Sequence, residues 1–452
     1  MKTTSQITIF FLAWLLCFEY CYGQGLRDNK KGLSALENYL DKKDNSFSRE
    51  NYHTTKSGDG TFYEVSFSSQ TWQSIIWKHR LILYFPKKSA LSSTMLVVLQ
   101  HGHYYDRDAG MAGLKTTGDS TGTPAAILYD IPNQPLFDGK EEDDLQAFTF
   151  SQYLKSGDES WPLLFPMVKS VVRAMDVAQS LAKMERKVAV TGFVISGHSK
   201  RGHTTWLSAA TDSRIKGIIP IAIDILNSRA QMSHHLKTFG QYNTPSESTT
   251  ELVQKLEQPR GQSLIEMVDA YSYRNRFTMP KLIVSATNDQ FFATDALNLY
   301  WDGLKKPKWV LYLSNANHFM AYSDPRIIPT AFAFARAIAA GKSLPELNWE
   351  FSRKENVMVL KIIANPSATQ ARVWTSQSKN KDFRQAIWKS APMNFKGRGG
   401  SFNQAGDALK EFTVEVALPT DDYTAIFGEI EFELNGRTFL LSTQTKISNL
   451  KE

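Results

Sequence analysis

Cysteine is almost missing from this sequence, since only Cys17 and Cys21 occur and both lie within the first two dozen residues. A chain cut after them has no free thiol and no cysteine ligand for zinc. A basic tract is missing too, because 52 Lys and Arg against 45 Asp and Glu leave a net charge of +7 that is spread over short pairs. This pattern argues against a nucleic-acid partner.

What is present is the composition of a globular protein. The 452 residues are 42% hydrophobic, 12% aromatic and 21% charged, which is not the composition of a disordered chain. No internal repeat or low-complexity tract stands out. A single core rarely extends over so many residues, so the length predicts two domains.

The first 23 residues have the pattern of a signal peptide. Lys2 supplies the positive start, Ile7 to Phe18 the apolar segment, and Cys21-Tyr22-Gly23 the cleavage site. We therefore expect a secreted protein, or a periplasmic one in a bacterium. The alternative is an N-terminal anchor that is retained. No later stretch has the roughly 18 apolar residues of a membrane span, so none is expected in the mature chain.

Residues 24–343 are expected to form an α/β domain. Short apolar runs typical of strands buried on both faces alternate with helical patterns such as the one from Met167 to Leu181 and the one from Thr294 to Leu304. This alternation predicts a mostly parallel sheet with helices against it. The buried runs are Met95 to Leu99, Phe193 to Ile195, Gly217 to Ile223, Lys281 to Ala286 and Val310 to Leu313.

Residues 344–452 have a different pattern, with short alternating strands such as "VMVLKII" and "EFTVEVAL" between polar loops. This predicts a C-terminal β-rich domain resembling a sandwich. We expect it to be a structural appendage, because ligands of α/β proteins usually bind at the edge of the parallel sheet.

Ser199 is the candidate nucleophile. The strand ending at Gly197 runs into a turn at Ser199 and then into a helical pattern, which is the context of a nucleophile elbow. Arg201 stands where the G-x-S-x-G pattern has its second glycine, and Gly202 follows one place later. The simpler interpretation of Ser199 is a helix N-cap. A literal G-x-S-x-G at Gly118 to Gly122 is interpreted as a loop, because no strand precedes it.

The base and the acid follow from chain order. In α/β-hydrolases the nucleophile is followed by the acid and then by the histidine, and among the histidines after the acid-bearing strand only His318 remains. For the acid we favour Asp289, at the end of the strand "KLIVSA". Asp224, at the end of the strand before it, is the alternative.

The oxyanion formed on attack needs two backbone N–H donors. Lys200, directly after the nucleophile, is expected to supply one, and His103, in the turn after "MLVVLQ", the other. His101 and His103 together with His198 or His203 are an alternative metal site, which we disfavour because neither cysteine nor an H-E-x-x-H motif supports it. No metal and no cofactor is therefore expected.

Several long segments resemble the PhoPQ-activated pathogenicity-related protein family, whose eukaryotic members include autocrine proliferation repressors. The segments are "SGDESWPLLFPMVKSVVRAMDVAQ", "GHSKRGHTTWL", "SATNDQFFATDALNLYWDGL", "NANHF" and "NKDFRQAIW". The resemblance extends over nearly the whole mature chain. It implies an α/β-hydrolase fold closest to the prolyl-oligopeptidase type, with Ser199, Asp289 and His318 as a triad.

The expected function is a secreted serine hydrolase, either a peptidase or an esterase, acting on a peptide or an acyl ester, with a possible role in signalling or virulence. The alternative is a non-catalytic secreted signalling factor that uses the same scaffold to bind a cell-surface receptor. The acidic run from Glu141 to Asp144 is either a solvated surface or a site for a substrate ammonium group.

Overall fold

The computed structural model describes residues 30–58, 60–87, 93–100, 106–242, 252–253, 255–402 and 408–451. The predicted signal peptide lies outside these residues. So do Cys17, Cys21, His101 and His103. Within the described residues, no helix is both long enough and apolar enough to cross a membrane.

Eight helices of ten residues or more are described, and several shorter helical turns accompany them. The helices are α1 Lys30–Asp41, α2 Arg107–Thr121, α3 Glu142–Ser156, α4 Leu164–Leu181, α5 Lys200–Thr211, α6 Ser228–Phe239, α7 Pro259–Val268 and α8 Ile327–Ala339. The turns are a π-helical one at Ala182–Arg186 and 3₁₀ turns at Ala270–Arg276, Ala296–Leu299 and Met320–Tyr322.

Nine strands belong to the part of the chain before residue 344. They are β1 Ser48–Ser57, β2 Gly60–Trp72, β3 Ile75–Phe85, β4 Thr94–Leu99, β5 Ala125–Leu128, β6 Gly192–His198, β7 Ile215–Ile221, β8 Lys281–Ala286 and β9 Lys308–Leu313. They lie side by side in the order β1-β2-β3-β5-β4-β6-β7-β8-β9. The run from β5 to β9 is parallel, and β1 to β3 extend it antiparallel.

The predicted α/β architecture follows from this order. β6 and β8 are almost entirely buried, as parallel strands covered by helices on both faces must be. The helix predicted around Met167 to Leu181 is α4, whose apolar positions are buried. The arrangement is an α/β-hydrolase fold, with a parallel centre that places its strand ends at one edge of the sheet.

Two local predictions were wrong. The segment from Thr294 to Leu304 contains one 3₁₀ turn, at Ala296–Leu299, rather than a helix. The carbonyls of Trp301 and Leu304 accept hydrogen bonds from the Lys308 ammonium. The literal G-x-S-x-G motif is not a loop but the last turn of α2, which ends at Gly122 with φ 71°.

The described residues of the C-terminal region form nine strands. They are β10 Leu347–Lys354, β11 Val357–Ala364, β12 Ala368–Ser378, β13 Lys389–Pro392, β14 Asn394–Phe402, β15 Ala408–Ala417, β16 Tyr423–Leu434, β17 Arg437–Ser442 and β18 Lys446–Ser448. β10, β11, β15 and β14 form a separate four-stranded sheet. This sheet packs closely on β16. At Gly428 of β16 the contact is so close that an added Cβ would lie 2.4 Å from Cδ1 of Ile362 in β11.

The other C-terminal strands continue the central sheet. β17 pairs with β9 through Ser442 and Val310, and β16, β12 and β13 follow it. β18 pairs with β16 beside this series, so that the large sheet has 14 strands. Leu311 of β9 and Ile430 of β16 belong to the same buried cluster. The predicted β-rich region is thus present, and it shares both a sheet and a core with the α/β region.

Candidate active site

Ser199 lies at a sharp turn between β6 and α5. Its backbone has φ 54° and ψ −124°, a region that L-residues rarely adopt and that costs about 1–3 kcal/mol. The neighbouring strand β7 holds this turn in place, because the Ser199 N–H donates a hydrogen bond to the Ile221 carbonyl at 2.8 Å. This is the strained strand-turn-helix geometry of a nucleophile elbow.

Two glycines make this turn sterically feasible. A Cβ at Gly197 would lie 2.5 Å from the backbone carbon and oxygen of Arg201, and one at Gly202 would lie 2.7 Å from Ile223 Cγ2. The second small residue is therefore required three places after Ser199 rather than two. Arg201 is tolerated because its buried side chain points away and forms an ion pair with Glu142.

The structure brings Ser199, His318 and Asp289 together. His318 Nδ1 lies 2.8 Å from Asp289 Oδ2, and His318 Nε2 lies 3.0 Å from Ser199 Oγ. Because a carboxylate only accepts hydrogen bonds, Nδ1 carries the proton and Nε2 is left to accept one from the serine hydroxyl. His318 and Asp289 are 4% and 3% exposed, so the relay between them is shielded from water.

The two loops that carry the acid and the base are fixed by further hydrogen bonds. Asp289 Oδ1 accepts from the backbone N–H groups of Phe291 and Phe292, at 2.8 and 3.2 Å. The His318 N–H donates to Gln290 Oε1 at 3.1 Å. Two contacts therefore set the position of the His318 imidazole: the hydrogen bond of the His318 backbone to Gln290 and that of its ring to Asp289.

Asp224, the alternative acid, has other partners. Its carboxyl accepts hydrogen bonds from the hydroxyls of Ser285, at 2.7 Å, and of Tyr300. Complete burial raises the pKa of Asp224 to about 6 despite these donors. It is a buried structural carboxyl beside the site, and Asp289, not Asp224, accepts the hydrogen bond from His318 Nδ1.

The acidic run and the Lys200-Arg201 pair meet in a network that the sequence did not reveal. Arg201 is 5% exposed; it donates to the Ile131 carbonyl through Nε and to both carboxylate oxygens of Glu142 through Nη1 and Nη2. The Lys200 ammonium bonds Glu142 Oε2 at 3.2 Å and Asp143 Oδ1 at 2.8 Å.

The electrostatics of Glu142 show how strong this network is. Burial alone would raise the pKa of Glu142, but the hydrogen bonds and charges of Arg201 and Lys200 lower that pKa far below its usual range. The carboxylates of Glu142 and Asp143 are thus engaged with α5, although their side chains remain 39% and 40% exposed, while Glu141 and Asp144 are exposed. The sequence signal was charge complementarity, namely two acids against two bases beside the nucleophile.

Lys200 is placed as expected for an oxyanion donor, because its N–H lies in the first turn of α5, where backbone donors have no partner within the helix. The helix N-terminus adds its own positive potential. His103, the second predicted donor, lies outside the described residues. Of the histidines in the alternative metal site, His198 and His203 each donate Nε2–H to a backbone carbonyl, of His318 and Val268 respectively.

Comparison with known proteins assigns the chain to a family. The profile of the PhoPQ-activated pathogenicity-related protein family matches residues 36–384. The chain belongs to this family. The matched region contains Ser199, Asp289 and His318, and it extends beyond the α/β region into the loop between β12 and β13.

One curated member of the family is similar over most of its length. Autocrine proliferation repressor protein A of Dictyostelium discoideum is 30% identical over 378 residues, which cover 78% of this chain and 76% of that protein. Its name describes a repressor of proliferation and mentions no chemical reaction.

Two of the solved structures that overlap the chain are esterases of low sequence identity. Acetyl xylan esterase 1 from Thermoanaerobacterium sp. JW/SL YS485 is 11% identical with a TM-score of 0.49, covering 68% of this chain and 94% of that one. The glucuronoyl esterase from Solibacter usitatus is 15% identical with a TM-score of 0.41, covering 68% and 92%. These overlaps carry no argument about the substrate.

Proposed function

We propose that this member of the family is a secreted serine hydrolase that acts on an acyl ester or a peptide. The observation that carries the proposal is the hydrogen-bonded series Asp289–His318–Ser199, whose serine stands on a strained elbow. Strain at a non-glycine residue persists only where its surroundings impose it, and it concentrates at functional sites. A serine that only caps a helix requires neither a strained backbone nor an imidazole within hydrogen-bonding distance of its hydroxyl.

The first half of the reaction acylates the enzyme. Ser199 Oγ attacks the carbonyl carbon while His318 Nε2 takes the hydroxyl proton, and Asp289 stabilises the imidazolium that results. The negative charge that develops on the carbonyl oxygen is stabilised by hydrogen bonds from the Lys200 N–H and from a second backbone N–H. His103 remains our candidate for this second donor. The imidazolium then protonates the leaving alcohol or amine, which departs and leaves an acyl group on Ser199.

The second half restores the serine. A water molecule attacks the acyl carbon while His318 Nε2 takes one of its protons, and a second oxyanion forms. When this intermediate collapses, the imidazolium returns the proton to Ser199 Oγ and the carboxylic acid leaves. No proton or electron is left over, so this proposed cycle needs no cofactor.

Labelling with a fluorophosphonate tests the proposal, because such a probe phosphonylates only an activated serine. We expect the purified protein to be modified at Ser199, and the Ser199→Ala variant to remain unmodified. Ser120 is the matched control, since it has the literal G-x-S-x-G surroundings but lies in the last turn of α2. A folded protein that is not labelled, or is labelled at Ser120, contradicts the proposal.

The name of the Dictyostelium relative favours a second candidate, a secreted factor that represses proliferation through a cell-surface receptor without catalysis. The two candidates differ in what Ser199→Ala does. If the chain acts through binding alone, folded Ser199→Ala protein keeps its full biological activity on cells and hydrolyses no substrate. If hydrolysis is the function, both activities disappear together.

A further inference from the structure

The C-terminal region reaches the candidate active site through the loop between β12 and β13, residues 379–388. The side-chain amide of Asn288, the residue before Asp289, donates to the carbonyls of Phe383, Arg384 and Ala386 at 3.1, 3.3 and 2.7 Å. A loop bonded in this way to the neighbour of the catalytic acid is part of the site's construction, which a structural appendage would not be.

The same loop is also bonded to the segment that carries the base. Asn315, three residues before His318, donates from Nδ2 to the Trp388 carbonyl at 3.0 Å and accepts the Trp388 N–H on Oδ1 at 2.8 Å. The 379–388 loop is thus attached to both the acid loop and the histidine loop, and its position relative to His318 is fixed.

An open cleft of about 510 Å³ lies between these loops. Gln290, Asn317 and Met320 line the side that carries His318, and Arg384, Gln385 and Ala386 line the opposite side. Gln290 is the residue whose Oε1 accepts the His318 N–H, so the cleft borders the loop that holds the base.

Among the described residues that line this cleft, Arg384 is the one with a charged side chain. Its Nε and Nη2 are held by the Asp382 carboxylate, with Nη2 at 2.6 Å from Oδ2. The guanidinium carbon lies 4.2 Å from the centroid of the Phe239 ring. Nη1 makes no hydrogen bond to the described part of the chain. The guanidinium is anchored on one edge and stacked on one face, which pre-organises it for a planar anion.

The charge of Arg384 acts on a neighbouring imidazole although Asp382 binds the guanidinium. Burial and then the charge of Arg384 lower the pKa of nearby His235 to about 4, so the imidazole stays neutral. Apolar side chains also lie in the two loops, since Phe319 is 66% exposed, Met320 51% and Ile387 74%. Polar lining with a single fixed cation and an apolar rim fits a ligand that has both an anionic and an apolar part.

We propose that the 379–388 loop forms one wall of the substrate cleft and that Arg384 selects substrates carrying a carboxylate besides the bond to be cleaved. This inference rests on the proposed hydrolase function. A charge-assisted hydrogen bond contributes about 1.5–3 kcal/mol, which corresponds to a preference of about ten- to a hundredfold in kcat/KM over a neutral isostere. The preference should weaken at high salt, because the cleft is open to solvent.

The test compares esters with and without a carboxylate, and the effect of Arg384 is the change in their ratio between the parent and its variants. One pair has the acid on the acyl side, p-nitrophenyl hemiglutarate against p-nitrophenyl valerate, and one has it on the leaving group, 4-acetoxybenzoate against phenyl acetate. We expect the charged member of at least one pair to be favoured in kcat/KM. In Arg384→Gln the ratio of charged to neutral should fall towards one, and Arg384→Lys should give an intermediate ratio.

Arg214→Gln is the matched control. Arg214 is bound by Asp212 two residues before it, through Nε at 3.0 Å and Nη2 at 2.7 Å, and it is about as exposed as Arg384, 24% against 25%. It precedes β7, at the sheet edge opposite Ser199. We expect its removal to leave both the activity and the charge ratio unchanged, with circular dichroism confirming that each variant is folded.

Binding to the inactive Ser199→Ala protein separates this inference from the proposed function. By calorimetry, monomethyl glutarate should bind more tightly than dimethyl glutarate, and Arg384→Gln added to this background should remove the difference. Arg384-dependent binding without hydrolysis of any ester overturns the hydrolase and keeps the anion site. Hydrolysis without a charge preference overturns the anion site alone, and neither binding nor hydrolysis overturns both.

Discussion

The imidazole of His198 donates a hydrogen bond from Nε2 to the backbone oxygen of His318 at 2.8 Å, and the two rings are 4.8 Å apart. The residue before Ser199 therefore holds the backbone of His318, the residue proposed to deprotonate that serine. Because a carbonyl only accepts hydrogen bonds, the tautomer of His198 is set at Nε2. β6 and the histidine loop are linked directly, independently of the hydrogen bond between Ser199 and His318.

The first prediction concerns the joint action of the triad. Ser199→Ala and His318→Ala should each lower the kcat for a small acyl ester on the order of a thousandfold or more, because each removes a member of one proton relay. The double variant should be barely slower than either single one. If the fold-loss in kcat of the double variant equals the product of the two single losses, the two residues act independently.

The second prediction compares two glycines in helices. Gly202→Ala should destabilise the protein by about 1–3 kcal/mol, because the new Cβ would lie 2.7 Å from Ile223 Cγ2 and 2.9 Å from the Gly197 carbonyl oxygen. Gly113→Ala, on α2 with nothing within 4 Å of the new Cβ, should stabilise it by about 0.5–1 kcal/mol. Urea unfolding measures both changes, and equal effects at the two sites would refute the steric argument.

The third prediction concerns the ion pair under the elbow. Glu142→Gln should cost about 1–3 kcal/mol of unfolding free energy, because it leaves the buried guanidinium of Arg201 without its carboxylate. It should also lower kcat, since Arg201 lies two residues after Ser199. Asp144→Asn, at an exposed position of the same helix, should change neither quantity. A Glu142→Gln protein as stable and as active as the parent would exclude a role in holding the elbow.

The fourth prediction is a pH dependence of stability. Burial raises the folded pKa of Asp224 to about 6, above the unfolded value of about 3.9. Its contribution to stability is therefore full below pH 4 and is lost as the pH rises to about 6, on the order of 2–3 kcal/mol. Relative to the parent, Asp224→Asn should gain stability by that amount between pH 4 and pH 7. A difference in unfolding free energy that is constant over this range would contradict the assignment.

The fifth prediction concerns the leader. If residues 1–23 are a signal peptide, the protein recovered from the medium of an expressing cell should begin near Gln24 and react with no thiol reagent. Intact-mass measurement identifies the first residue. A recovered mass that still includes Cys17 or Cys21 would favour the retained anchor instead.

The sequence by itself was sufficient to predict the α/β architecture and the three residues that the structure brings together. Buried strands are recognisable because both of their faces are apolar. The candidates Asp289 and His318 follow from the chain order of α/β-hydrolases, in which the nucleophile comes first, then the acid and then the histidine. Each of these signals is local or depends on chain order alone.

Only the tertiary structure decided which distant groups meet. Arg201 broke the expected motif in the sequence, and the fold supplies its partner from Glu142, 59 residues earlier. Asn288 reaches the carbonyl of Arg384, 96 residues later, so a C-terminal loop that was expected to be an appendage forms a wall of the cleft. Such pairings leave no periodicity in the chain, because the energy of a polar contact depends on where both partners lie in space and not on their spacing in sequence.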